Sequence, residues 1–172
     1  MGRRSRRVSL VILIVVVLFA GATARLFVFP DTNAPTHADA IFVLGGDGDR
    51  AGEGYTLARA HDAPLTFFSI NPDSHCPALS GIGRYTCFVP NPFTTQGEAR
   101  SIHHLAQVNH LHRIILVTTT PQATRARLRV GRCFKGQIEV VGVSPGSVVR
   151  WIHDIAYEWG ALFKALALQR GC

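Results

Sequence analysis

The sequence predicts an α/β domain: helices on both faces of a mostly parallel sheet of about five strands, three layers in all, behind one N-terminal transmembrane helix. Three observations predict it. The runs Ala40-Ile41-Phe42-Val43-Leu44 and Ile114-Ile115-Leu116-Val117-Thr118 are continuously apolar rather than alternating, as in strands buried on both faces. Between such runs lie segments whose apolar residues recur at helical spacing, and strand–helix alternation implies parallel strands joined by crossovers. Right-handed crossovers leave few topologies, of which a Rossmann-like sheet is the natural one. The third observation is the N-terminus, where Arg3, Arg4, Arg6 and Arg7 precede seventeen uncharged residues from Val8 to Ala24.

At 1.5 Å per residue that apolar stretch reaches roughly 26 Å, the short end of what crosses a bilayer core. Arg25 can snorkel to the interface, so that Leu26 to Phe29 extend the span before Pro30. The positive-inside rule keeps the arginines in the cytoplasm. The organisation expected is a cytoplasmic basic tip (1–7), a signal-anchor (8–29), a linker (30–37) and an extracytoplasmic domain (38–172) at a bacterial plasma membrane. A cleaved secretory signal is the alternative, because Ala22-Thr23-Ala24 is an A-x-A-like site. The bulky apolar residues beyond Arg25, with no polar break, favour retention.

The elements follow in order. Asp31 to His37 is polar, holds two prolines and lacks periodicity, so a linker is expected. Ala40 to Leu44 is the first strand and Gly45-Gly46-Asp47-Gly48-Asp49 its turn. Arg50 to Ala60 reads as a helix, Leu65 to Ser69 as a strand, and Thr86 to Val89 as a third strand ended by Pro90 and Pro92. A helix runs from Thr95 to about Val108, then the strand at Ile114. Thr120 and Pro121 suit the cap and first turn of a helix reaching about Phe134. Ile138 to Val143 is the last strand. Ser144-Pro145-Gly146 breaks the chain before a final helix carrying Trp151, Ile155, Trp159, Leu162 and Leu166 at helical spacing.

Charge and cysteines narrow the function. Five of the eighteen basic residues lie in the first 29 positions, so the net charge of +7 falls to +2 beyond them. A nucleic-acid binder concentrates basic charge on its folded domain, so that class is disfavoured. Four cysteines suit an oxidising compartment. Cys76 and Cys87 share one loop and are expected to bridge; Cys133 and Cys172 form a weaker second pair, since nothing local joins them. Neither pair has zinc spacing or forms a C-x-x-C, and His103, His104, His110 and His112 lack an H-E-x-x-H pattern. No G-x-S-x-G elbow is present. The sequence names no cofactor and no protein partner.

Ligands of open α/β sheets bind beyond the carboxyl ends of the strands, and polar residues gather there. Gly45 and Gly46 let a ligand approach, and Arg50 and Arg125 offer donor forks for phosphate or carboxylate. Asp47, Asp49, Glu53 and Glu98 can position water, bind a sugar hydroxyl or share a divalent cation with a phosphate. Thr95, Thr118, Thr119 and Gln122 complete the ligand-binding set, with Glu98 and Asp47 as the catalytic candidates. Structural explanations compete: Thr95-x-x-Glu98 is a capping box, Asp47 or Asp49 suits a helix cap, and most of Arg127, Arg129 and Arg132 suit a solvated face.

Ala38 to Gly46, Arg50, Thr95-x-x-Glu98-Ala99, Ile115 to Thr118 and Arg125-Ala126 together resemble the SanA/ElyC/YdcF-like family, over about residues 38–168. These are bacterial domains of undefined activity, often behind one N-terminal transmembrane segment and linked to envelope integrity and to peptidoglycan or lipid-carrier metabolism. The resemblance implies a shared polar site at Gly45, Gly46, Arg50, Glu98, Thr118 and Arg125. Two departures stand out: Thr94-Thr95 replaces the usual Asn-Thr, and Gln122 replaces a histidine. Gln122 can hydrogen-bond but cannot take a proton near neutral pH. The expectation is a site for a phosphate-bearing envelope intermediate, with a non-catalytic envelope scaffold as the alternative. If Arg125 serves the ligand, its replacement by alanine removes binding and leaves the melting temperature nearly unchanged.

Overall fold

A computed structural model describes residues 3–46 and 48–172. In chain order the elements are helix Arg3–Thr23 (α1), strand Ala40–Val43 (β1), helix Arg50–Arg59 (α2), and strands Leu65–Ser69 (β2) and Arg84–Phe88 (β3). Helix Thr95–Val108 (α3), strand Arg113–Thr119 (β4), helix Ala123–Cys133 (α4), strand Gln137–Val143 (β5) and helix Val148–Ala167 (α5) follow.

The five strands lie in the order β3-β2-β1-β4-β5, and every neighbouring pair is parallel. The two continuously apolar runs take the centre, where Phe42 pairs with Phe67 on one side and Leu116 on the other. Alternation along the strands explains why such runs belong there. Phe42, Leu44, Ile114 and Leu116 face α3 and α4, packing on Ala99, Ile102 and Val130. Ile41, Val43, Ile115 and Val117 face α2, packing on Leu57 and Ala58. A polar residue at any of these positions would lie in one core or the other. The expected α/β three-layer architecture is therefore present.

The strand–helix alternation breaks once. Among the described residues, the β2–β3 crossover contains no helix. The disulfide Cys76–Cys87 closes that loop. Leu79 and Ile82 pack onto the α2-side core, and the Tyr55 hydroxyl donates to the Ser80 carbonyl at 2.8 Å. The loop thus covers the sheet where a helix otherwise would.

The apolar N-terminal stretch forms one helix, continued by a π-helical turn at Ala24–Val28. Arg4–Val28 is 25 residues, about 37 Å of helix, and its most apolar 18 residues have mean hydropathy 2.6, long and apolar enough to cross a bilayer core. Its end is built into the domain: Phe27 is fully buried, and the Thr124 hydroxyl donates to the Leu26 carbonyl at 2.5 Å.

The segment expected as a linker is docked rather than loose. Asn33 pairs with the edge strand β5, its N–H donating to the Val140 carbonyl and its side-chain oxygen accepting from the Val140 N–H. Thr36 donates from both its backbone N–H and its hydroxyl to the Glu139 carboxylate. An open sheet edge presents a row of unpaired groups, and a polar segment without periodicity can satisfy them.

The basic run on α4 is not a solvated face either. Arg129 is buried and donates to the Gln169 carbonyl and side chain, while Arg132 donates to the Ala165 and Gln169 carbonyls. These arginines satisfy the open carbonyls and negative dipole end of α5. Cys133–Cys172 is a second disulfide that pins the same end.

Candidate functional site

The chain leaves β1 toward β2 but leaves β4 toward β5. In sheets of this kind the crevice at that switch point is where ligands bind. Gly45 and Gly46 follow β1, and Thr119 ends β4, so the turn richest in glycine opens there.

Glu98 reaches this turn from the first turn of α3. The expected cap shifts by one residue: Thr94, not Thr95, accepts from the Gly97 N–H at 3.3 Å. Glu98 therefore does not close a capping box. Its Oε1 accepts from the Gly45 N–H at 2.6 Å, and the residue is only 4% exposed. Gly97 allows α3 to come this close, since a Cβ there would overlap the Pro92 carbonyl. Burial pushes the Glu98 carboxyl above the usual carboxylate range, partly opposed by the Gly45 N–H, the Ser69 hydroxyl and the charges of Arg50 and Arg125.

Arg50, the first residue of α2, is buried against the same turn. It donates through Nη1 to the Gly45 carbonyl and through Nη2 to the Thr119 hydroxyl, the latter at 3.2 Å. Gly46 makes room for it. Its φ is +117°, and a Cβ would stand 3.1 Å from both terminal nitrogens of Arg50, so both conformation and space require glycine. The pair Gly45-Gly46 thus admits Glu98 and Arg50, with both backbone polar groups of Gly45 already used. Asp49 takes the structural role, capping α2 by accepting from the Gly52 N–H at 3.0 Å.

Arg125 is held from two sides. Its Nε and Nη2 donate to both Glu158 oxygens, at 2.7 and 2.6 Å. Its Nη1 donates at 2.7 Å to the Thr95 hydroxyl, which also accepts from Gln122 Nε2 at 3.1 Å. Burial would lower the Arg125 pKa, but the Glu158 hydrogen bonds and charge outweigh it and hold the guanidinium above its ordinary value. The donor fork expected to take a ligand anion is occupied by a carboxylate of the protein.

These groups surround a cavity of about 410 Å³, within the range of small-molecule sites. Gly45, Gly46, Arg50, Thr95, Glu98, Thr119, Gln122 and Arg125 all line it. Thr118 does not: strand alternation turns it to the side of Ile114 and Leu116, where it is fully buried. Asp47 lies outside the described residues. Among the described residues no group of three or more His, Cys, Asp or Glu side chains is placed to hold a metal.

One wall has no counterpart among the residues expected from the sequence: from α5, His153, Asp154, Tyr157 and Glu158 line the cavity, beside Phe93 of the loop before α3. A signal for Glu158 was present: it falls at helical spacing within the stripe of Trp151, Ile155 and Leu162, and a carboxylate in an apolar stripe implies a buried partner. Which arginine would meet it had no local signal. No family model, no curated protein and no solved structure matches the chain.

Proposed function

We propose that the chain is a membrane-anchored domain, on the outer face of a bacterial plasma membrane with its N-terminus cytoplasmic, that binds or processes a phosphate-bearing small molecule of the cell envelope. The observation that carries the reading is the burial of Glu98 and Arg50 together on one glycine turn at the switch-point cavity. A cation beside a carboxyl of raised pKa suits phosphate-ester chemistry. Arg50 supplies charge for the phosphoryl oxygens. Glu98 takes a proton from the attacking hydroxyl or water as that group's oxygen bonds to phosphorus, while the ester P–O bond breaks and the leaving oxygen is protonated by solvent. With glutamine at position 122, proton transfer falls to the other titratable wall residues, of which Glu98 lies on the glycine turn beside Arg50. Phe93 and Tyr157 give the opening a face for a ring or chain next to the polar floor. The two disulfides and the apolar α1 support the extracytoplasmic, tethered setting. The resemblance to the SanA/ElyC/YdcF-like family supports the envelope context.

A second reading is a non-catalytic scaffold, favoured by the complete use of the Arg125 fork within the protein. Thermal denaturation of the full chain in nanodiscs, with inorganic phosphate, nucleotides, sugar phosphates and polyprenyl-phosphate analogues, separates the two. Saturating ligand at a hundred times Kd adds about 2.7 kcal/mol, a shift of several degrees, and Tyr157→Ala should weaken it. No shift with any phosphate compound, from folded protein, would leave the scaffold.

A further inference from the structure

Helix α5 contributes one side to the core and another to the cavity, and a third side, covered by α1 at Trp159, is otherwise exposed. On that third side Val148, Val149, Ile152, Phe163 and Leu166 recur at helical spacing, with Ile152 65% and Phe163 67% exposed. The acidic residues of the helix, Asp154 and Glu158, face the cavity wall. The charged side chains on the rest of the open side are cationic, Arg150 and Lys164, both exposed. A helix with an exposed apolar sector, cations and no acid on the rest of its open side has the pattern of one that contacts a membrane interface.

The fold says where this helix sits. Trp159, within the apolar sector, stacks on Phe19 of α1 with ring centroids 5.1 Å apart. It also meets Phe27 edge-on at 5.2 Å and donates from its indole nitrogen to the Thr23 hydroxyl at 3.2 Å. Phe19, Thr23 and Phe27 form one stripe along the N-terminal helix, and a single α5 residue meets all three. That contact sets the apolar sector of α5 against the outer end of the spanning segment. Phe19 is six residues inside Arg25, about 9 Å along the helix, which matches the 5–10 Å depth typical of an interfacial helix. Residues 31–36 are docked on β5 and Arg25 is paired with Asp31, so the domain has no slack on which to lift away.

We propose that α5 is a second membrane-contact element, its apolar sector immersed in the outer leaflet of the bilayer that α1 spans. The proposal rests on the spanning role of α1. It also sharpens the ligand class of the cavity. Tyr157 and His153, one step around the same helix, stand on the cavity rim, so the cavity opens at headgroup height and suits a phosphate carried on a lipid.

Photo-crosslinking of the full chain in nanodiscs of phosphatidylglycerol and phosphatidylcholine tests this, with p-benzoylphenylalanine replacing Ile152, Phe163, Leu13 or Val108 in turn. All four positions are exposed, so the replacements leave the packing intact. The expected result is lipid adducts at Ile152 and Phe163 several-fold above those at Val108, at a yield comparable with Leu13. Adducts at Leu13 with none at Ile152 and Phe163 would overturn the proposal and leave the anchor standing. Adducts from Ile152 and Phe163 to a second copy of the chain would overturn it in favour of a dimer face. Absence of lipid adducts at Leu13 would overturn the anchor, and the proposal with it. Failure of phosphate compounds to bind, with adducts present, would leave the interfacial helix and remove the ligand reading.

Discussion

Replacing Arg125 or Glu158 singly with alanine should be among the most damaging changes available to this domain. Both side chains are buried, at 10% and 4% exposure, and they share two hydrogen bonds. Removing one partner strands the other charge in a poor solvent, which costs about 3–5 kcal/mol. Arg125→Ala also takes a donor from Thr95. For a domain of this size 1 kcal/mol shifts the melting temperature by roughly 3–5 °C, so each single variant should melt about 10–20 °C lower. Replacing both by apolar residues, Arg125→Met with Glu158→Leu, leaves no stranded charge and should recover most of the loss. Denaturation of the full chain and the three variants in one detergent, followed by near-ultraviolet circular dichroism, measures the cycle. If Arg125→Ala melted within about 1 kcal/mol of the parent, the pair would not support the fold. The sequence-based expectation of an arginine reserved for ligand would then stand.

Acid titration should separate two carboxyls of opposite sign. Glu98 has its carboxyl raised by burial, so its contribution to stability is present below the unfolded carboxylate pKa and is lost as pH rises through the folded value. Glu98→Gln should flatten that part of the stability–pH curve and gain on the parent toward neutral pH; an unchanged curve would refute the buried-acid assignment. Asp39 is lowered by the Arg113 and His112 backbone N–H groups, which it accepts at 2.8 and 2.6 Å. Its contribution is present above the unfolded pKa and lost as pH falls through the folded one, so Asp39→Asn should cost stability at neutral pH and converge with the parent in acid. The disulfides should differ in weight. With sequence separations of 39 and 11, loop-closure entropy gives about 4 kcal/mol for Cys133–Cys172 and about 3 kcal/mol for Cys76–Cys87. Serine pairs at each site, compared by denaturant unfolding, should keep that order; a larger loss at Cys76–Cys87 would show that the crossover loop, not the tail, needs the tie.

The sequence by itself determined the sheet, the helices and an N-terminal helix long and apolar enough to cross a membrane. Continuous apolar runs have no stable place except between two layers, and a long apolar helix behind arginines suits a membrane, a secretory signal or a core. The same local signals placed Glu98, Arg50 and the glycine turn at the carboxyl edge, because those positions follow directly from strand ends. Tertiary structure decided what those residues do. Glu98 serves Gly45 rather than a cap, and Arg125 faces Glu158, a partner 33 residues away. Asn33 and Thr36 become an edge of the sheet, and the arginines of α4 close the end of α5. Periodicity states which face of an element is apolar, but not which element that face meets. The pairing of charges, the docking of polar segments and the open apolar face of α5 are all settled at that second step.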